Sequence, residues 1–309
     1  MTDLAARVLA VDLGGTNLRA AVVRSDGTIV RRCARPTPRE AACPDALLDL
    51  VALVRADDAI SHAVIGVPGR VDHARGRLET APNLPPSWIL DLAEDRLAEV
   101  LDTPVLLAND ADLAAVGEAS FGAGQGWRDV AYVTLSTGVG AGVVLDGAIV
   151  HGRRSLAELG HTILDRAAAA TGGPATVEAL GSGTALGRMA CAAGLPEDGA
   201  ELARLAAAGN EPAGRVWAAT VRAAAYGIVN LAHLFSPEIV IVGGGLGRNG
   251  ALVLDLVRAE LNRFGPAELP EPIALVEAAL DDDAALVGAA SWRAAFAAWG
   301  GRGSVDRSA

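Results

Sequence analysis

Short apolar runs that break off at small or polar residues recur along this chain, and they set out its elements. Val8–Val11 is a buried-strand pattern that Asp12 ends just before Gly14 and Gly15. Leu18–Val23 predicts a second strand, and Ser25-Asp26-Gly27 a turn into a third at Thr28–Val30. Leu47, Leu48, Val51 and Val54 have helical spacing within Pro44–Arg55, and Ala63–Val67 is a strand stopped by Pro68-Gly69. Paired prolines stiffen Leu84–Trp88, and Trp88 opens a predicted helix to about Leu101. The apolar run of Thr103–Ala108 ends in Asn109-Asp110 and hands over to a helix. Alanine-rich helices then dominate, with Pro196 and Gly209 as breaks and Pro212–Phe235 the longest. Ile239–Val242 runs into three glycines, a helix follows over Ala251–Phe264, and a closing helix spans Asp281–Ala298, started by an acidic triplet.

The opening pattern occurs twice. Val133–Val150 repeats strand, small-residue turn, strand, Asp-Gly and strand, and Asp26-Gly27 recurs as Asp146-Gly147, 120 positions on. Paired glycines bring backbone N–H groups close to an anion, and a carboxylate facing such donors is what a magnesium ion bridging to phosphate requires. Asp12 with Gly14 and Gly15 has that layout; a glycine-rich hairpin without ligand is the plainer alternative. Two copies suggest two similar domains facing each other across a cleft. With them the chain resembles the sugar-kinase, Hsp70 and actin superfamily of ATP-binding folds.

Composition narrows the classes. A chain of 309 residues accommodates two ordinary domains, and 51% hydrophobic against 20% charged residues is globular. The net charge of -11, without a basic block, argues against nucleic acid as partner. Three scattered cysteines, Cys33, Cys43 and Cys191, form no CxxC pair, which favours a reducing compartment over a disulfide frame or a thiolate metal site. The first residues show no secretory pattern, and no stretch reaches the roughly 20 apolar residues of a spanning helix, so a cytoplasmic protein without membrane contact is expected.

Several polar residues stand where chemistry would need them. Asn83 suits a hydroxyl as donor and acceptor, or forms a turn. Asp110 begins a helix, where a carboxylate is commonly a cap, yet it falls between the two glycine hairpins, where an acceptor hydroxyl would sit. Glu158 and His161 are three apart and can point one way; further metal ligands are missing nearby, so hydroxyl binding is the better use. Glu178 lies on the first turn of a helix beginning near Ala175. Gly245–Gly250 spells GxGxxG after a strand, the dinucleotide pattern, but the acidic partner is displaced to Glu277. A glycine turn near an adenosine or its α-phosphate explains the same residues.

Taken in order, VDLGGTNLRAAVV, IGVPGRVD, NDADLAAVGE, LSTGVGAGVVLDG, AELGH, VEALGSGTAL and IVIVGGGLG are similar to the ROK family of bacterial sugar kinases and sugar-responsive repressors, and to its glucokinases in particular. The resemblance spans nearly the whole length. It implies an α/β protein with the two-domain actin-like ATPase fold and an interdomain cleft. The N-terminal domain would be 1–108, completed by the helix at about 284–299, the larger C-terminal domain 109–283, and 300–309 a disordered tail. It further implies ATP and Mg2+ as cofactors, with Asp12 facing the magnesium and Gly14, Gly15, Thr16, Thr137 and Gly138 meeting phosphates. Gly244 and Gly245 would lie near the nucleotide, and Asn83, Asn109, Asp110, Glu158, His161 and Glu178 would hold a hexose, with Asp110 as base on its 6-hydroxyl. Glucose is the expected substrate and a homodimer the expected assembly. N-acetylmannosamine, fructose or mannose as substrate, polyphosphate as donor, and a sugar-binding regulator without turnover remain alternatives. The helix-turn-helix of the repressors is not seen ahead of the first strand, which favours an enzyme. One departure is plain: where many members carry a zinc-binding cysteine cluster, this chain has TILDRAAAATGGPATVE, so no zinc is expected and the loop has to be held by packing.

Overall fold

A computed structural model describes residues 7–300 apart from 39, 41, 57, 82 and 153–157. In chain order the strands are β1 (Arg7–Leu13), β2 (Asn17–Arg24), β3 (Ile29–Pro36), β4 (Ile60–Val67), β5 (Arg70–Asp72), β6 (Arg77–Thr80), β7 (Val105–Asn109), β8 (Asp129–Leu135), β9 (Val139–Leu145), β10 (Ala148–Ile149), β11 (Ile239–Gly243) and β12 (Ala274–Glu277). The helices are α1 (Cys43–Ala52), α2 (Glu94–Leu101), α3 (Asp110–Phe121), α4 (Arg166–Ala170), α5 (Val177–Gly181), α6 (Gly183–Ala192), α7 (Gly199–Ala207), α8 (Glu211–Phe235), α9 (Gly244–Gly247), α10 (Ala251–Phe264) and α11 (Ala284–Gly300). Two five-stranded sheets follow one scheme, β3-β2-β1-β4-β7 and β10-β9-β8-β11-β12. The repeated hairpin pattern is thus a repeated topology.

The chain forms two compact units, one of residues 1–126, 144–156 and 282–309, the other of 127–143 and 157–281. In the first, β1 is antiparallel to β2 and parallel to β4, which is parallel to β7. Leu9, Val11 and Leu13 share a core with Leu47, Leu50, Leu97 and Trp88. The alternate residues Val8 and Ala10 are buried too, and α11 packs on β1. With both faces covered, the strand reads as a continuous apolar run instead of an alternation. Each such large side chain contributes about 1.5–3 kcal/mol by leaving water.

The first unit holds α3 and divides from the second after residue 126, beyond the boundary at 108 that the sequence suggests. The reason is backbone contact between α3 and α11, where a Cβ on Gly117 would lie 2.1 Å from the Ala284 carbonyl oxygen and one on Gly288 only 1.9 Å from that of Leu113. The small face of the closing helix serves this crossing. Gly300 ends α11, and the expected disordered tail, beyond it, lies outside the described residues. The predicted helix at Trp88 is instead one 3-10 turn, Pro86–Trp88, with α2 starting at Glu94. The residues between are drawn onto β6: Leu78 N–H donates to Leu92 O at 2.9 Å and Arg77 bridges to Ala93.

The same unit holds two half-buried imidazoles among aromatic rings. His73 and His151 have centroids 5.5 Å apart, and His151 stacks on Phe296 at 4.0 Å. Both Nε2 atoms are buried without a hydrogen-bond partner among the described residues. Burial, with His151 beside it and Asp72 opposing, lowers the His73 pKa from 6.5 to about 4. An unfolded chain takes up this proton near 6.5, while the folded one resists to about 4, so the stability His73 gives is complete above 6.5 and is lost as pH falls through that window. Thermal unfolding at pH 4.5 and 7 is expected to show the larger acid loss in the parent and a smaller one in His73→Phe; equal losses would refute the assignment.

In the second unit β11 is parallel to both β8 and β12, with Gly243 opposite Thr134 and Val242 opposite Glu277. Around this sheet α8 packs on α5, α6, α7 and α10. The cysteine-free loop is tied by its stem and not by packing, since α4 buries no residue. Leu164 N–H donates to Ala175 O at 2.7 Å, Val177 N–H to Thr162 O at 3.0 Å, and Asp165 caps α4 through Ala167 and Ala168 N–H.

Candidate active site

Parallel strands that end side by side gather side chains at one edge of a sheet, the usual place for ligands in α/β proteins. In the first unit that edge carries Asp12 at the end of β1, Pro68-Gly69 after β4 and Asn109-Asp110 at the end of β7. Gly14 N–H donates to Asn17 O at 2.9 Å to close the turn, and Thr37 Oγ1 donates to Gly14 O at 2.6 Å. Gly15 is where a side chain is excluded: its Cβ would lie 2.7 Å from the Asn83 carbonyl oxygen. Asn83 is thus brought beside the turn that carries Thr16, and both residues are exposed.

Asp12 is nearly buried, and that burial raises its pKa against the opposing pull of Arg19, whose Nη1 lies 3.0 Å from Asp12 Oδ2. Arg19 also reaches Asp282 at 3.5 Å. Neither Arg19 nor Thr37 was singled out by sequence reasoning. The antiparallel register sets Arg19 opposite Asp12, and only the closed hairpin reveals that pairing.

At the end of β7 the two adjacent polar residues divide their work. Asn109, and not Asp110, caps α3: its Oδ1 accepts from Ala111 N–H at 2.9 Å and Asp112 N–H at 3.2 Å, while Nδ2 donates to Gly69 O at 3.1 Å. This anchors the β7–α3 junction to the Pro68-Gly69 turn. Asp110 is the first helical residue, half-buried, with Oδ1 also accepting from Ala111 N–H at 2.9 Å. A carboxylate there is held in place without being the cap itself.

The second unit builds a corresponding edge. Ser136 N–H donates to Gly138 O at 2.9 Å, and the turn is fastened to the start of α6 by Gly183 N–H to Ser136 O at 2.7 Å and Thr184 Oγ1 to Thr137 O at 2.7 Å. Glu178 Oε2 accepts from Val139 N–H at 2.9 Å, so this carboxylate lies against the turn. Glu158 and His161 face each other at 3.6 Å across the 3-10 turn Leu159–His161, as their spacing predicts. Gly244 takes φ +81°, and a Cβ there would also meet Leu135 O at 2.5 Å, whereas Gly245 faces open space. Glu277, the displaced acid of the GxGxxG pattern, has its Oε1 occupied by Gly250 N–H at 2.7 Å. An open groove of about 630 Å3 beside α8, lined by Leu164, Leu180, Arg222 and Tyr226 among others, includes none of these residues.

Two five-stranded sheets of one topology, each with a small-residue turn after its first strand, define the actin-like ATPase class. A sequence profile described as the ROK family matches residues 8–295, and the chain belongs to that family. It is 32% identical over 308 residues to a glucokinase of Streptomyces coelicolor, covering 91% of this chain and 96% of that protein. It is 33% identical over 294 residues to an N-acetylmannosamine kinase of Yersinia pseudotuberculosis, covering 92% and 97%. Among solved structures, a ROK family glucokinase from Streptomyces griseus in complex with glucose and AMPPNP superimposes with a TM-score of 0.77 at 31% identity, covering 93% of this chain and 98% of that one.

Proposed function

We propose that this protein is an ATP-dependent sugar kinase that moves the γ-phosphoryl group to the 6-hydroxyl of a hexose, glucose foremost. The observation that carries the reading is the division of labour at the β7–α3 junction, where Asn109 takes the cap and Asp110 presents a positioned carboxylate at the strand edge that holds Asp12 and the glycine turn. Glucokinases among its relatives support glucose.

In this reading Asn83, Asn109, Glu158, His161 and Glu178 orient the hexose, and Asp110 accepts the proton of the 6-hydroxyl as its oxygen bonds to the γ-phosphorus. The bond from that phosphorus to the β–γ bridging oxygen breaks, and ADP leaves with the electron pair. Gly14, Gly15, Thr16, Thr137 and Gly138 receive the phosphates through backbone N–H and hydroxyl donors, and Gly244 and Gly245 accommodate the adenosine side. Asp12 fits a magnesium ion: it is a hard, nearly buried carboxylate beside a phosphate-type turn, and its pKa raised by burial shows that Arg19 alone does not offset the cost of its charge. Such an ion, held by Asp12, supplies neutralisation of charge on the phosphate oxygens.

The test is phosphate transfer from ATP-magnesium, and from polyphosphate, to a panel of hexoses and N-acetylhexosamines. Glucose is expected as the best acceptor and ATP as the donor. Preference for N-acetylmannosamine would move the assignment to that kinase class, a member of which is 33% identical to the chain. Sugar binding without transfer to any acceptor would overturn the enzyme in favour of a sugar-responsive regulator. Three free cysteines suit a cytoplasmic setting, no helix of the described residues is long and apolar enough to cross a membrane, and a homodimer is the assembly we assign, to be checked by light scattering.

A further inference from the structure

Glu178 sits at a junction within the second unit that a simple sugar ligand would not need. Its Oε2 accepts from the Val139 N–H at 2.9 Å, on the turn assigned above to phosphates. The fit allows no side chain on the turn itself, since a Cβ on Gly138 would lie 2.4 Å from the same oxygen. Gly160, between Glu158 and His161, is equally confined: its Cβ would lie 2.3 Å from Val139 O and 3.3 Å from Glu178 Cβ. Three segments distant in sequence, Ser136–Val139, Glu158–His161 and the first turn of α5, therefore meet around the Glu178 side chain. Oε1 takes no hydrogen bond among the described residues, which leaves it for a hydroxyl of the substrate.

We infer that Glu178 is a positioning residue that holds the Ser136–Val139 turn with one oxygen while the other reads the sugar, so that nucleotide and sugar binding are coupled through it. The inference rests on the kinase reading and goes beyond it. A carboxylate drawn toward a sugar hydroxyl shifts the N–H it holds, and by linkage a turn fixed by phosphate in turn fixes the sugar reader. A residue that only touched sugar would leave nucleotide binding without sugar untouched.

The experiment measures binding of magnesium-AMPPNP by calorimetry, with and without glucose, in the parent, Glu178→Ala and Glu178→Gln. In the absence of sugar, Glu178→Ala is expected to bind the nucleotide about five- to tenfold more weakly, and glucose to change that affinity by less than twofold. Glu178→Gln keeps an acceptor for Val139 N–H and is expected to restore sugar-free nucleotide affinity while remaining defective in KM for sugar. Val139 amide exchange, followed without any ligand, is expected to quicken at least tenfold in Glu178→Ala and not in Glu178→Gln, which reports the tie even if turnover is lost. Gly160→Ala, which crowds the same carbonyl, should reproduce the nucleotide defect with the carboxylate intact. Unchanged nucleotide affinity in Glu178→Ala, in a parent that phosphorylates sugar, overturns the inference alone. A parent that binds no nucleotide overturns the kinase reading and this inference together.

Discussion

Asp110→Asn is expected to lower kcat for sugar phosphorylation by about 10²–10⁴, the range for losing a positioned general base, while the dissociation constant for sugar stays within a few-fold. The barrier change is about 2.7–5.5 kcal/mol, since each tenfold is about 1.4 kcal/mol. The substitution is mild structurally, because Asn retains an oxygen to accept from Ala111 N–H as Asp110 Oδ1 does. Steady-state kinetics with parallel sugar-binding calorimetry separate the two effects. Near-normal turnover would remove Asp110 from the chemistry. Asn109→Ala supplies the contrast one position away: it removes a cap, costs about 1 kcal/mol of stability, and loosens the tie to Gly69 that positions Asp110.

Gly288→Ala is expected to destabilise the first unit by about 3 kcal/mol, at the upper end of overpacking costs, and to lower the melting temperature by about 6–12 °C at the usual conversion for a chain of this size. The new Cβ would stand 1.9 Å from the Leu113 carbonyl oxygen and 2.9 Å from the Gly117 nitrogen, so two helix backbones must separate. No flexible side chain can yield in their place. The helix propensity gained, about 1 kcal/mol, is already allowed for in that figure. Gly214→Ala on α8 is the matched control, where nothing lies within 4 Å and the propensity term alone should stabilise slightly. Equal melting temperatures for the parent and Gly288→Ala would refute the close crossing of α3 and α11.

How much was legible differs from element to element. Val8–Val11 and Ile239–Val242 were readable because strands covered on both faces are uninterrupted apolar runs, and Leu18–Val23 was readable although Arg19 interrupts it; all three are strands. The helix expected at about Ala251 to Phe264 is α10, Ala251–Phe264, with Gly250 and Gly265 at its two ends. The Trp88 helix was misread because burial of Trp88 in the core and attachment of Leu92 to Leu78, both set by distant partners, delay the helix that the paired prolines suggest until Glu94. The cap at Asn109-Asp110 was ambiguous for a local reason: both residue types cap helices, and the direction of the Asn109 side chain toward Gly69 selects one.

From the amino-acid order alone came the duplicated hairpin, the α/β class, the ROK motifs and the shared direction of Glu158 and His161, all of which depend on neighbours within a few residues or on repetition along the chain. Tertiary structure decided what depends on partners far apart in sequence: Arg19 across the hairpin from Asp12, Asp282 beside it, Glu178 on Val139, Glu277 on Gly250, and α3 assigned to the first unit by contact with α11. The physical reason is common to these cases. A hydrogen bond or a backbone contact forms where folding brings two groups within about 3 Å, and single-residue spacing carries no record of which strand or helix will supply the second group.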